Sequence, residues 1–261
     1  MDVFRYFPGT TPVFVSMPHV GLHVPDDILP RLTFAAQELP DTDWHIDRLY
    51  DWARDLGIGM IAATHSRYVV DLNRPPDDTP LYSGATTGLF PTTLFDGSKL
   101  YHAGGEPDEQ ELRQRLEQYW RPYHRRLAEE LDRLKHRHGY VILFDAHSIR
   151  SQVPRLFDGV LPDFNLGSND NNSADQELIK RAEAVCAAAQ GYTSVLNGRF
   201  KGGYITRHYG APKDNIHTLQ LELSQRTYMD EAAPFTFRED LAEQVRPVLK
   251  QLLQELLDWR P

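Results

Sequence analysis

One cysteine in 261 residues, Cys186, leaves the chain without any possible internal disulfide. It falls in an alanine-rich helical stretch with no histidine beside it, where a buried apolar role fits better than that of a nucleophile. Cations are also in deficit, 28 Lys and Arg against 37 Asp and Glu, for a formal net charge of −9. Phosphate binding needs a basic surface, so nucleic acid is not an expected partner. A locally basic pocket for an acidic small molecule remains compatible with that total. No apolar run approaches the roughly 18 residues of a membrane span. The first residues, Met1 to Tyr6, lack the basic region and apolar core of a secretory signal, so the expected compartment is the cytoplasm. Repeats, low-complexity tracts and linkers are missing too, and residues 1–261 read as one domain.

What is present is an alternation of short apolar runs with amphipathic helices, the signature of an α/β fold. Residues 13–17 read as a buried strand stopped by Pro18, and a helix follows over 43–56 with Gly57 as its C′ residue. Residues 58–63 and 67–72 read as strands, and 75–105, rich in Pro, Gly, Thr and Asp, as a surface excursion. A charged helix is predicted over 108–138, kinked or divided at Pro122. Residues 140–144 form the clearest strand, too apolar to face water on either side. A structureless stretch over 148–172 then precedes a helix over 173–190, N-capped by Ser173. Strands near 193–196 and 218–223 lead to a final helix ending in paired leucines. Helical crossovers between strands favour a mostly parallel sheet covered on both faces.

Two histidines follow strands in equivalent ways, His19 in Ser16-Met17-Pro18-His19 and His147 in Phe144-Asp145-Ala146-His147. Open α/β sheets bind ligands beyond the carboxyl ends of their strands, so both imidazoles sit where a pocket is expected. Imidazole is a favoured zinc ligand, and a catalytic zinc takes about three protein ligands with one position left for water. For the third ligand, Asp41, Asp43, His45 and Asp47 crowd one helix start, where some acidity also serves capping and the helix dipole. Spacing does not choose among them. Asp145 shares a strand face with His147 and could orient that histidine, contact a substrate or pair with an arginine. Glu222 shares a face with Gln220 and Ser224, either as part of a solvated strand face or as a general base beside a metal. Arg67, Asn73 and Arg74 in one turn-rich segment, and Arg199, Lys201 and Arg207 around Gly202-Gly203 in another, could hold a dicarboxylate.

Several stretches together resemble the N-formylglutamate amidohydrolase family (N-formylglutamate deformylases). They are Val15 to Gly21, Asp43 to Tyr50, Ser66 to Pro76, Asp145 to Ser148, Lys201 to Gly210 and Leu221-Glu222, in order over most of the chain. The resemblance implies a mixed, largely parallel sheet between helices, similar to zinc carboxypeptidases and aspartoacylase. It implies a metal-dependent amidohydrolase that splits N-formyl-L-glutamate into formate and glutamate in histidine breakdown. Zn²⁺, or another divalent metal, would be bound by His19, Asp47 and His147, positions that match the family's ligands, and Glu222 matches its catalytic carboxylate. On that reading Arg74 stabilises the oxyanion or clamps a carboxylate, and Arg67, Asn73, Asp145, Arg199, Lys201 and Arg207 are the further substrate-binding candidates. A zinc enzyme acting on another N-acyl amino acid, and a non-catalytic protein that binds acidic amino acids, are the competing expectations.

Overall fold

The computed structural model describes residues 1–81 and 86–261. Seven strands form one sheet in the order β1-β3-β2-β4-β7-β5-β6. They are β1 (Phe4–Phe7), β2 (Val13–Met17), β3 (Gly59–Ala63), β4 (Val141–Ile149), β5 (Phe164–Gly167), β6 (Ser194–Leu196) and β7 (Ile216–Ser224). β2, β3, β4 and β7 run parallel, whereas β1 is antiparallel to β3 and β5 is antiparallel to β7. The expected mixed, largely parallel α/β sheet is therefore what the chain forms.

Alternation along the central strands decides which side chains meet. Val13, Val15, Met17, Phe144, Ala146, Leu219, Leu221 and Leu223 face one side and pack under α2 (Ile46–Leu49), α5 (Gln176–Ala188) and α7 (Glu239–Asp258). Phe14, Val141 and Leu143 face the other side, beneath α4 (Arg121–His138) and α6 (Tyr204–Tyr209). On this second face the strands change character toward their carboxyl ends. Val141 and Leu143 give way to Asp145 and His147, and Gln220 and Glu222 lie beside them in register.

Several elements differ from the sequence reading, each for a physical reason. After a one-turn helix, α1 (Phe34–Gln37), the helix expected over 43–56 is only α2 followed by a 3-10 segment, Asp51–Leu56. His45 takes left-handed backbone at φ 62° and so starts the helix late; Gly57 ends it at φ 75°, as expected of a C′ glycine. Residues 67–72 do not form a strand. Their amides bond to turns, Val69 N to Ser66 O and Asp71 N to Leu89 O, rather than to a neighbouring strand. Tertiary partners override β-propensity there. The 75–105 excursion is irregular, as expected, but buries Leu89, Leu94, Phe95, Leu100 and Tyr101, and residues 82–85 lie outside the described ones. β5 interrupts the stretch expected to be structureless, and α5 is capped by Asp175, whose side chain accepts from Glu177 N. Ser173 instead donates to Thr218 O at 2.7 Å. The long charged helix is divided just before Pro122: α3 (Glu109–Arg115) and α4 flank a π-helical turn, Leu116–Trp120.

Candidate metal and catalytic site

The carboxyl ends of β2, β4 and β7 lie side by side, which brings His19, His147 and Glu222 together from three distant parts of the chain. The rings of His19 and His147 are 4.9 Å apart between centroids. A third group joins them: Asp43 Oδ2 is 2.9 Å from His147 Nδ1 and 3.7 Å from His19 Nδ1. His19, Asp43 and His147 are all buried, and each offers one potential ligand atom within 4.8 Å of the others.

The carboxylate in this cluster is Asp43, not the Asp47 that the resemblance favoured. Asp47 lies beyond the late helix start and turns outward, where its Oδ2 pairs with Arg5 at 2.5 Å on the surface. The other two possibilities have different occupations. His45 Nε2 donates to Phe235 O at 2.7 Å, and Asp41 accepts from Tyr68 Oη and Phe95 N.

Each imidazole is gripped from behind by another carboxylate. His19 Nε2 donates to Asp71 Oδ1 at 2.7 Å, and His147 Nε2 donates to Asp145 Oδ2 at 2.9 Å. Asp145 also accepts from Ser16 Oγ at 2.8 Å and from Asn73 Nδ2 at 3.3 Å, while Asp71 accepts from Arg67 at 2.6 Å. These bonds leave the Nδ1 atoms of both histidines directed at Asp43. That is the arrangement in which metal-bound histidines are held, with the far ring nitrogen on a carboxylate.

Charge favours a cation here. Asp43, Asp71 and Asp145 are 1%, 0% and 0% exposed, with the Arg67 guanidinium packed against Asp43 and Asp71. Burial alone would raise the Asp43 carboxyl, but the hydrogen bond from His147 and the charge of His19 outweigh it and hold it well below the usual carboxylate range. Asp71 is likewise held low against burial by the charges of His19 and Arg67. Burial would lower His147, yet Asp145 and Asp43 raise it well above an ordinary histidine. The pocket thus draws positive charge to the space between Asp43 and the two imidazoles. The donor set, two imidazole nitrogens and a carboxylate, suits zinc.

Glu222 faces the same cleft, with Gln220 Nε2 at 3.5 Å from its Oε2. It is not part of a solvated strand face. Burial pushes its carboxyl up to about 8, the charge of His147 partly opposing. It is a buried acid adjoining, but not within, the three-residue cluster.

The wall of the cleft includes Arg67, Arg74, Arg199, Phe95, Ile149 and Phe200. Of the basic substrate candidates, Arg67, Arg74 and Arg199 are therefore brought to the site. Arg74 is fixed by bonds to Thr87 O, Asn73 O and Thr86 Oγ1, and Arg199 Nε donates to Leu156 O. Lys201 and Arg207 are not on the cleft wall: Lys201 Nζ pairs with Asp170 at 2.9 Å, and Arg207 Nε donates to Gly202 O. Asp145 is not on the cleft wall either: it lies fully buried behind His147. Asn73 reaches the wall, but its amide is engaged by Asp145 and by Ile205 N. Sequence reasoning missed Asp71, although a carboxylate enclosed by Arg67 and Arg74 was a visible signal.

A family model described as N-formylglutamate amidohydrolase matches residues 11–229. The chain is 58% identical over 257 residues to N-formylglutamate deformylase of Pseudomonas putida, covering 98% of this chain and 96% of that one. It is 58% identical over 258 residues to N-formylglutamate deformylase of Pseudomonas aeruginosa, covering 99% and 97%. The crystal structure of N-formylglutamate amidohydrolase from Ralstonia eutropha JMP134 superposes with a TM-score of 0.85 at 25% identity, covering 98% of both chains. A gene product from Agrobacterium tumefaciens shares the fold, with a TM-score of 0.73 at 17% identity over 98% of this chain and 95% of that one.

Proposed function

This chain belongs to the N-formylglutamate amidohydrolase family, and on that premise we propose that it hydrolyses N-formyl-L-glutamate to formate and L-glutamate, a reaction of histidine breakdown, using zinc held by His19, Asp43 and His147. The observation that carries the reading is the convergence of two imidazole Nδ1 atoms on one buried carboxylate, each ring fixed from behind by another carboxylate.

When bound, zinc would polarise the formyl carbonyl, lower the pKa of a water at the site from about 16 to roughly 7, and draw Glu222 toward its charged form. Glu222 takes the proton as the water oxygen adds to the formyl carbon. It then delivers that proton to the amide nitrogen as the C–N bond breaks, so that formate and the free amine leave. Arg74 and Arg199, whose forks suit carboxylates, hold the glutamate moiety. Arg67 keeps Asp71 on His19 and contributes positive charge to the wall. Phe95, Ile149 and Phe200 supply apolar surface to the cleft.

The test offers metal-stripped and zinc-loaded protein N-formyl-, N-acetyl- and N-succinylglutamate and measures released amine. Turnover that needs zinc and prefers the formyl substrate is expected. Equal turnover without metal overturns the zinc assignment, and preference for a larger acyl group overturns the substrate. Glu222→Gln should keep its metal and lose activity by about 10²- to 10⁴-fold; full activity would move the general base elsewhere.

A further inference from the structure

The segment 69–74 carries much of the site yet belongs to no strand. Asp71 holds His19 Nε2, Asn73 Nδ2 holds Asp145 and lies 3.0 Å from His147 Nε2, and Arg74 lines the cleft. Three carbonyls of this segment accept hydrogen bonds from side chains of one helical rod. Arg115 Nη1 donates to Val69 O at 3.2 Å, His124 Nε2 to Leu72 O at 2.8 Å and Trp120 Nε1 to Arg74 O at 3.0 Å.

The spacing of those three donors is unusual. At about 100° per residue, an uninterrupted α-helix would set Arg115 and Trp120 roughly 140° apart, on different faces. The intervening π-turn, Leu116–Trp120, leaves through a bond from Arg121 N to Leu116 O and absorbs the extra residue. Trp120 thereby rejoins the face that carries Arg115, and His124 follows one α-turn later. Pro122 supplies the local cause, since it has no amide for the Gln118 carbonyl and its ring crowds that position. The Trp120 and His124 rings stack at 3.8 Å between centroids. A carbonyl only accepts, so the His124 proton sits on Nε2. Neither Trp120 nor His124 lines the cleft.

We infer that Trp120 and His124 are positioning residues for the metal and substrate site, using their N–H groups to hold segment 69–74 and thereby keeping Asp71 on His19 and Asn73 on Asp145, which in turn holds His147. Arg115 completes the bracket at the segment's start. In its effect on metal and turnover this rests on the proposed zinc chemistry; in its effect on the segment it does not.

The experiment compares three variants of the full chain with the parent. Trp120→Phe removes the N–H and keeps a smaller aromatic ring. His124→Leu removes the donor, and His124→Gln restores an N–H at that place. Three quantities are read: hydrogen exchange of peptides spanning 67–76 in the metal-free protein, the zinc dissociation constant by chelator competition, and kcat and KM on N-formylglutamate. In Trp120→Phe and His124→Leu, exchange in this segment should quicken on the order of tenfold with little change in the sheet. Zinc affinity should fall by about 10-fold, and kcat with it. His124→Gln should return toward the parent. Exchange of the segment within about twofold of the parent in both donor-less variants overturns the inference, whatever the melting temperature does. Should the parent itself bind no zinc, the zinc reading fails, and the exchange comparison still decides the positioning role.

Discussion

Asp43 and Asp47 are four residues apart and meet opposite environments. Asp43 is turned in against two imidazoles, whereas Asp47 is turned out to Arg5. Asp43→Asn should lower zinc affinity more than 100-fold and abolish most turnover, because breaking a buried charged set leaves the remaining partners uncompensated. Asp47→Asn should keep affinity and turnover within about twofold, since an exposed pair contributes little. Chelator competition on the two variants checks both outcomes. That His19, His147 and Glu222 meet was legible because each lies toward or just beyond the carboxyl end of a strand that its own residues announce. Asp43 was not, because the deciding event is the left-handed backbone of His45. Nothing in a histidine followed by Ile46 requires that conformation; it is imposed by packing, with the His45 ring bonded to Phe235 O from far along the chain.

At the scale of elements, the strands with continuous apolar runs fell where the pattern put them, because burial on both faces leaves one signal to read. The segment 67–72 carried the same composition and became a set of turns, since its partners are helix side chains that no local pattern reveals. Pro122 marked the break in the long helix correctly, but only the structure shows a π-turn there. A close approach between elements gives a sharp prediction. A Cβ on Gly203 would lie 2.4 Å from Asn73 Nδ2, so Gly203→Ala must displace the amide that sits on Asp145 and beside His147. Turnover should fall on the order of a hundredfold, as misplacements of about 1 Å can cause, with the fold retained by circular dichroism. The same helical rod also sets a pH response. Burial holds the His124 imidazole down at about 3, against 6.5 when free. Its folded pKa is depressed, so the unfolded chain binds the extra proton first. The stability due to the neutral ring is therefore complete above about pH 6.5 and is lost as pH falls toward 3, at up to about 1.4 kcal/mol per pH unit. Urea midpoints measured across that window should fall less steeply in His124→Gln than in the parent.

At the scale of the whole molecule, one sheet carries the site, and among the described residues no helix is long and apolar enough to cross a membrane. The general architecture was readable from alternating elements, while the reversed directions of β1, β5 and β6 were not, because direction is fixed by the partner strand and not by the strand's own residues. Asp43, Asp71 and Asp145 lie buried around the proposed zinc position. Zinc at about a hundred times its dissociation constant contributes roughly 2.7 kcal/mol, so stripping the metal should lower the melting temperature by about 5–10 °C. Differential scanning calorimetry with and without chelator checks this, and an unchanged transition would count against a structural share for the ion.

β4 lies between β2 and β7, joining Val13 to Ile142 and Val141 to Ile216. Neighbours so remote along the chain make such pairings slow to find during folding. The pocket's members arrive on separate strands and loops, so a nascent chain lacking its last third possesses both histidines and Asp43 but has no β7 to seat them against. Ion capture by a refolding chain should accordingly lag behind collapse and helix formation, serving as a timestamp for the moment at which the central ladder closes.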